Sequence, residues 1–200
     1  MGFPERLAIA SRNEHKLREL RAICSDWPVE WITAATHPGP WPEVQEPHDT
    51  YLHNALEKAR VVASALGLPA IADDSGIEVD ALGGGPGPRS ARYAGEHASH
   101  ADNLRQMLAA LKGIPAPGRT ARYRCVAALA WPDGRELRAE GVCEGTLTTR
   151  PRGSGGFGYD PIFVPEGWDR TMAELAPEEK DRISHRGRAF RALRDLLAAG

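Results

Sequence analysis

The chain has 200 residues, 42% of them hydrophobic and 26% charged, with a formal net charge of −2. That is enough apolar chain for one sizeable domain without disulfide or metal staples. The near-neutral, slightly acidic balance excludes a dedicated DNA-binding protein, which is basic over a whole domain. Cys24, Cys125 and Cys143 make no CxxC pair, and they read as small buried thiols of a cytoplasmic protein rather than a disulfide. No apolar run reaches the ~18 residues of a membrane span, and the N-terminal apolar stretch is too short for a secretion signal.

In chain order, Arg6 to Ala10 reads as a buried strand, broken by Ser11-Arg12-Asn13. A helix follows with Leu17, Leu20, Ile23 and Cys24 on one face. Val29 to Thr33 is a second strand, and residues 36 to 48, with four prolines, form a loop. Asp49 or Thr50 caps a helix whose inner side is Leu52, Ala55, Ala59, Val62, Ala63 and Leu66, ended by Gly67. Pro69 to Ala72 reads as a buried strand, Asp73-Asp74-Ser75-Gly76 as a turn, and Ile77 to Val79 as a further short strand. The run Gly83 to Pro88 reads as a loop, and Ser99 to Lys112 as a helix with Leu104, Met107, Leu108 and Leu111 inward. Residues 119–131 and 135–149 are two long strands joined by a turn at Pro132-Asp133-Gly134. Gly153 to Gly158 is a glycine-rich loop. The chain is helical from Pro177, with Phe190, Leu193, Leu196 and Leu197 on the apolar face. Alternating strands and helices followed by a long hairpin predict an α/β fold with a mixed sheet.

Four segments carry residues suited to chemistry. Ser11 to Lys16 leaves a strand and opens a helix, where free backbone N–H groups and the positive dipole end suit a phosphate. Ser11, Asn13 and Lys16 add side-chain donors, although an ordinary capped turn has the same look. Asp73 and Asp74 are adjacent carboxylates after an apolar strand, and a hard cation such as Mg²⁺ would neutralise them. If the extended geometry continues, their side chains point to opposite sides, one toward a site and one toward the scaffold. The competing reading is a turn in which Asp and Ser bond the backbone. Gly153 to Pro161 places Phe157 and Tyr159 in a loop that a ligand can approach closely, suited to stacking on a nucleobase or to simple anchoring of the loop. Glu178 to Arg188 holds Lys180, His185 and Arg186, with Lys180 and Ser184 on one face if the helix is continuous. It reads equally as a solvated charged helix. Glu46 in the proline-rich loop is the best third carboxylate. Only four residues are lysine, at 16, 58, 112 and 180, which suggests sites needing a compact ammonium. Together these pieces supply what a nucleoside triphosphate requires: cations for the phosphates, a divalent-cation site and a base pocket, with an Asp as water-activating base.

SRNEHKLREL, NALEKA, PAIADDSGIEVDALGGGPGPRSARYAG, GGFGYDPIF, AEL…EEK and SHRGRA stand in the order and spacing of a known family. The chain resembles the inosine/xanthosine triphosphate pyrophosphatases, which remove aberrant purine nucleotides, nearly from end to end. The resemblance implies hydrolysis of ITP, dITP or XTP between the α and β phosphates, with Mg²⁺. It also implies a single domain over residues 1–200, elongated, with a mixed β-sheet and flanking helices in two lobes around a central substrate cleft, and a homodimer binding neither nucleic acid nor membrane. By position, the resemblance makes Asp74 the general base and, with Glu46, a metal ligand. It gives Ser11, Asn13 and Lys16 to the phosphates, with Arg12, Glu14 and His15 along the same run, and Ser75 and Lys180 also to the substrate. Phe157, Gly158, Tyr159 and Asp160 go to the base pocket, and His185 and Arg186 read the purine. A 6-oxo group is an acceptor, so a buried donor such as Arg186 donates to it and rejects a 6-amino group. Two departures touch the metal loop: Glu46-Pro47-His48 replaces the family's frequent Glu-Thr-Gly, and His53 replaces a frequent Glu.

Overall fold

The structure is a computed structural model and describes residues 2–199. Met1 and Gly200, the two ends of the expected 1–200 domain, lie outside the described residues. The strands are β1 (Arg6–Ile9), β2 (Glu30–Ile32), β3 (Ala70–Val79), β4 (Thr120–Ala130), β5 (Glu136–Leu147) and β6 (Phe163–Pro165). The helices are α1 (Glu14–Ile23), α2 (Tyr51–Leu66), α3 (His100–Ala110), α4 (Pro177–Ile183) and α5 (His185–Ala199). The strands form one sheet in the order β2-β1-β3-β4-β5-β6. β1 runs parallel to β2 and β3, and β6 runs antiparallel to β5, so the sheet is mixed as expected.

The chain divides into two compact units. One comprises the residues up to Asp74, Cys125–Gly141, and those from Arg186 onward; the other comprises Ser75–Arg124 and Val142–His185. The chain changes unit inside β3, β4 and β5, and again at the start of α5.

The first unit follows from strand alternation. Successive side chains of a strand leave on opposite faces. Leu7, Ile9, Ile71, Cys125, Ala127 and Leu129 belong to a core with Leu17 and Leu20 of α1 and Phe190, Leu193 and Leu197 of α5. Ala8, Ala10, Ala70, Ala72, Val126, Ala128 and Ala130 belong to a separate core with Ala55, Ala59, Val62 and Ala63 of α2. Both faces of these strands are therefore covered, as parallel sheets require. Alanine is the commonest residue on the α2 side, and its small side chain lets the helix lie close to the strands. Asn13 caps α1 by accepting from the His15 and Lys16 amides, and Thr50 caps α2 by accepting from His53. Gly67 ends α2 in the left-handed region, at φ 63°.

The second unit has its own core of Ile77, Val79, Met107, Leu111, Tyr123, Cys143, Leu147, Tyr159, Ile162 and Phe163. Ser99 and Asp102 form a reciprocal capping box on α3. All three cysteines are buried and free, as expected, and Cys125 and Cys143 lie in different cores.

Four local expectations need correction. Asp73-Asp74-Ser75-Gly76 is not a turn: β3 runs unbroken from Ala70 to Val79. Beyond the acidic pair the strand is held by Ser90, whose Oγ accepts from the Ile77 amide at 2.8 Å, and by the Gly85 carbonyl, which accepts from the Val79 amide at 3.0 Å. Gly76 is needed there for closeness, because a Cβ would sit 2.6 Å from Ser90 Oγ and nearer still to the Gly87 carbonyl oxygen. The glycine run 83–88 is not wholly irregular, since Gly87 and Pro88 open a 3₁₀ helix, Gly87–Arg92. The C-terminal helix is not continuous. Ser184 adopts extended backbone (φ −64°, ψ 152°) between α4 and α5, so Lys180 and Ser184 do not share one helix face. Leu196 is 46% exposed and leaves the apolar face to Phe190, Leu193 and Leu197.

Candidate active site

The two acidic residues sit in the middle of a strand, and the pleat separates them. Asp73 follows the parity of Ile71 and joins the α1/α5 side. Asp74 follows Ala70 and Ala72 onto the α2 side. Each is almost fully buried, so each needs its own cations.

Asp73 is matched by Arg186 at the start of α5 and by Lys16 of α1. Arg186 Nε and Nη2 donate to Asp73 Oδ2 at 3.2 and 3.1 Å, and Lys16 Nζ is 3.3 Å from the same oxygen. Arg186 Nη1 donates to Glu19 of α1. The guanidinium is buried, bridging two carboxylates. Burial alone would raise the Asp73 carboxyl, but Lys16 and Arg186 overcome it and hold the group far below the usual carboxylate range. Burial alone would lower Arg186, and Asp73 and Glu19 outweigh it, raising the group further. Asp73 thus serves as the counter-ion of Arg186 and Lys16. Three Arg186 nitrogens therefore donate to Asp73 and Glu19.

Asp74 has a different neighbourhood. Asn54 Nδ2 donates to its Oδ2 at 3.1 Å, and Lys58 Nζ lies 3.5 Å from its Oδ1. The same ammonium donates to Glu46 Oε1 at 2.6 Å. Asn54 and Lys58 are one turn apart on α2, on the side the alanines bring against the sheet. Lys58 is buried, which would lower its affinity for the proton, yet Asp74 and Glu46 raise it above the ordinary lysine value. Burial pushes Glu46 up, and Lys58 more than reverses this. For Asp74 the balance goes the other way. Burial, helped by Glu46, outweighs Lys58, Lys16 and Asn54, and its carboxyl is raised. Of the two adjacent acids, only Asp74 has a proton affinity shifted toward that of a base.

The start of α1 is partly self-capped. Asn13 Oδ1 accepts from the His15 and Lys16 amides at 3.0 and 3.2 Å, and Ser11 Oγ accepts from the Asn13 amide at 3.2 Å. A bound anion would share these donors with Asn13. Lys16 is drawn toward Asp73. Arg12 is exposed and donates to the Trp41 carbonyl, while the His15 ring pairs with Arg18 at 2.9 Å and Glu14 is exposed.

In the second unit a cluster forms around Asp160. Its Oδ2 accepts from Lys180 Nζ at 2.6 Å and from the Phe157 amide at 2.8 Å, and its Oδ1 accepts from Tyr123 at 3.2 Å. Lys180 also lies 5.1 Å from the centre of the half-buried Phe157 ring, which is 5.7 Å from His100. The His185 ring stacks on Tyr123 with centroids 4.6 Å apart and planes at 10°. Phe157 and Asp160 of the expected base pocket, His185 expected at the purine and Lys180 expected at the substrate are thus brought together around Tyr123 and Asp160. Tyr159 is buried in the core of this unit, and its hydroxyl donates to the Ser90 carbonyl at 2.8 Å. Gly158 has φ 64°, which reserves that position for glycine. Ser75 follows Asp74 along β3 and is half-buried.

Asn54, Glu19 and Tyr123 were not expected in these clusters, and Lys58 was singled out only as one of four lysines, without a role. Lys58 and Asn54 had a signal: a lysine and an amide stand one turn apart beside a small-residue helix face, downstream of an acidic loop. Glu19 and Tyr123 had none, because their partners are distant in sequence.

The Asp74 neighbourhood fits a hard divalent cation. Glu46 and Asp74 are oxygen donors gathered about one ammonium, and Asp74 carries a burial penalty that a cation would offset. No group of three or more metal-capable side chains occurs among the described residues. Two carboxylates, with phosphate and water completing the shell, is the pattern Mg²⁺ favours over an all-protein cage.

The model of the Ham1 family matches residues 7–196. A dITP/XTP pyrophosphatase of Streptomyces coelicolor is 52% identical over 198 residues, covering 96% of this chain and 98% of the relative. One from Geobacter sulfurreducens is 47% identical, covering 96% of each. Among solved structures, a HAM1 protein from Coxiella burnetii superposes with a TM-score of 0.87 at 39% identity, covering 98% of this chain and 100% of the other. No helix among the described residues is long and apolar enough to cross a membrane.

Proposed function

The chain belongs to the Ham1 family, and we propose that it is a nucleoside-triphosphate pyrophosphatase acting on aberrant purine nucleotides of the ITP, dITP and XTP class. The observation that carries this is the division of labour at Asp73 and Asp74. One acid pairs with Lys16 and Arg186, which hold its carboxyl low, and its neighbour lies 3.5 Å from Lys58, which it shares with Glu46, with burial raising its carboxyl.

In this reading the N-terminus of α1, Ser11, Asn13 and Lys16 hold the phosphate chain, with Lys58 as a second ammonium. Asp74 takes a proton from a water whose oxygen attacks the α phosphorus. The bond from that phosphorus to the bridging oxygen of the β phosphate breaks, and its electron pair leaves with pyrophosphate. The products are a nucleoside monophosphate and pyrophosphate, with the proton on Asp74. Glu46 and Asp74 would hold Mg²⁺, which when bound supplies positive charge to the phosphate oxygens. Phe157, Asp160, Lys180 and His185 carry the base end. A protonated donor such as Lys180 favours a 6-oxo acceptor over a 6-amino group. Asp73 and Arg186 serve as scaffold rather than as contacts to the reacting atoms.

The proposal includes one pyrophosphatase domain across residues 1–200, a homodimer and a cytoplasmic address. Sedimentation equilibrium at micromolar protein checks the dimer. The decisive experiment is a panel of ITP, dITP, XTP, GTP and ATP with Mg²⁺, scored by kcat/KM and by pyrophosphate against orthophosphate release. Pyrophosphate release with preference for the first three is expected, and Asp74→Asn is expected to stay folded and lose at least a thousandfold in kcat. Orthophosphate as the sole phosphate product, or near wild-type turnover by Asp74→Asn, overturns the proposal.

A further inference from the structure

One buried amide connects the Glu46 loop to the strand that carries Asp74. Asn54 has no exposed surface. Its Oδ1 accepts from the His48 amide at 3.0 Å, and its Nδ2 donates both to the His48 carbonyl at 2.9 Å and to Asp74 Oδ2 at 3.1 Å. A side-chain amide can make four hydrogen bonds, and here three are accounted for. Two grip the backbone of a single residue, N–H and C=O together, as a neighbouring strand would. The third reaches the carboxylate across the α2 side of β3.

The grip matters because of where His48 stands. It lies two residues after Glu46 in a stretch with no regular secondary structure. Loop backbone without ladder partners is mobile unless side chains tie it down. Glu46 pairs with the Lys58 ammonium, a point charge on a flexible stem that sets no direction. The amide is planar and directional. Its side chain is short, and it sits in the fourth position of α2 after the Thr50 cap, on a helix packed against β3 through alanine. The amide plane is therefore tied to the same rigid pair of elements that carry Asp74 and Lys58.

We infer that Asn54 is a positioning residue: by clamping the His48 backbone while bonding Asp74, it sets the separation of the Glu46 and Asp74 carboxylates. No other side chain reproduces the pattern. Asp keeps the acceptor and loses both donors, Gln is one methylene too long for a helix this close to the sheet, and Ser has one hydroxyl for three partners. The inference rests on the proposed reading of Glu46 and Asp74 as the pair that holds the divalent cation.

The test compares wild type with Asn54→Ala by two independent readouts. Amide hydrogen exchange at His48 in the metal-free protein reports the clamp itself. The Mg²⁺ concentration for half-maximal ITP turnover reports its consequence. We expect the His48 amide to exchange at least tenfold faster in the variant. We also expect the half-activating Mg²⁺ concentration to rise at least tenfold, with kcat at saturating Mg²⁺ falling by less than that. A merely structural role lowers the active fraction and leaves the Mg²⁺ dependence where it was. Unchanged exchange at His48, or a half-activating concentration within twofold of wild type, overturns the inference. If Asn54→Ala does not fold, Asn54→Ser is read by the same two criteria. If wild type turns over none of the triphosphates, the functional reading fails on its own, and His48 exchange still decides whether the clamp exists.

Discussion

Replacing Arg186 by Met separates two incompatible roles for that residue. The guanidinium is buried and engages Asp73 through two nitrogens at 3.1 and 3.2 Å and Glu19 through a third. Methionine is also long and apolar, so the volume is largely kept and the charge removed. Asp73 then keeps one cation, Lys16 at 3.3 Å, and Glu19 loses the partner it has from α5. Removing one member of a buried ion pair costs about 3–5 kcal/mol. Because Lys16 remains, the lower end, about 3 kcal/mol, is the expected loss. At about 2–4 °C per kcal/mol for a chain of this size, Tm falls by roughly 6–12 °C. Urea unfolding at pH 7 followed by circular dichroism measures it. The pH dependence has a definite sign. Asp73 has a depressed folded pKa, so its stabilisation is present above its unfolded value and is lost as pH falls through the folded one. In Arg186→Met the folded value rises, so acid unfolding begins at higher pH than in wild type. A stability loss below about 1 kcal/mol, accompanied by a changed preference between ITP and ATP, would refute the scaffold role and return Arg186 to the base.

Lys58→Met leaves the buried Asp74 and the half-buried Glu46 as neighbouring carboxylates without their shared ammonium. The expected loss at pH 7 is about 3 kcal/mol, and 10 mM Mg²⁺ should recover part of it in a thermal melt; a Mg²⁺-independent Tm counts against the cation site. Gly76→Ala drives a Cβ to 2.6 Å from Ser90 Oγ and closer to the Gly87 carbonyl. Such overpacking costs about 1–3 kcal/mol or more, visible as a lowered urea midpoint. Tyr159→Phe removes a buried hydroxyl that donates to the Ser90 carbonyl at 2.8 Å and should cost about 1–2 kcal/mol of stability.

How much of this was legible in the residues depends on the range over which each feature is decided. The opposite-facing carboxylates were legible, because strand parity is a local property and needs only Ile71-Ala72-Asp73-Asp74. The same four letters followed by Ser75-Gly76 also read as a turn, since carboxylates and glycine are usually solvent-facing. The deciding facts were elsewhere: Ser90 and Gly85 occupy the amides of Ile77 and Val79, and cations from three helices neutralise the acids. Asn13 as a cap followed from its place before an amphipathic run. The pairing of Arg186 with Glu19 and Asp73 could not be read, because those partners are remote in sequence and a charged run near α5 looks like a solvated face. The break at Ser184 had no glycine or proline to announce it. Tyr159 looked like a stacking ring because glycines surround it, and only the packing of Ile162, Phe163 and Met107 shows it as core.

The passage of the chain between two units inside β3, β4 and β5 has a consequence for synthesis. The first unit's α1/α5 core needs Phe190, Leu193 and Leu197, which emerge from the ribosome long after β1 and α1. Until then Leu7, Ile9, Leu17 and Leu20 have lost one wall of their core, and Asp73 has yet to meet Arg186. Domains that form as contiguous segments can fold in order as they appear. Here neither unit is contiguous, so a nascent chain halted before α5 should present apolar surface to chaperones and be cut by proteases that spare the released protein.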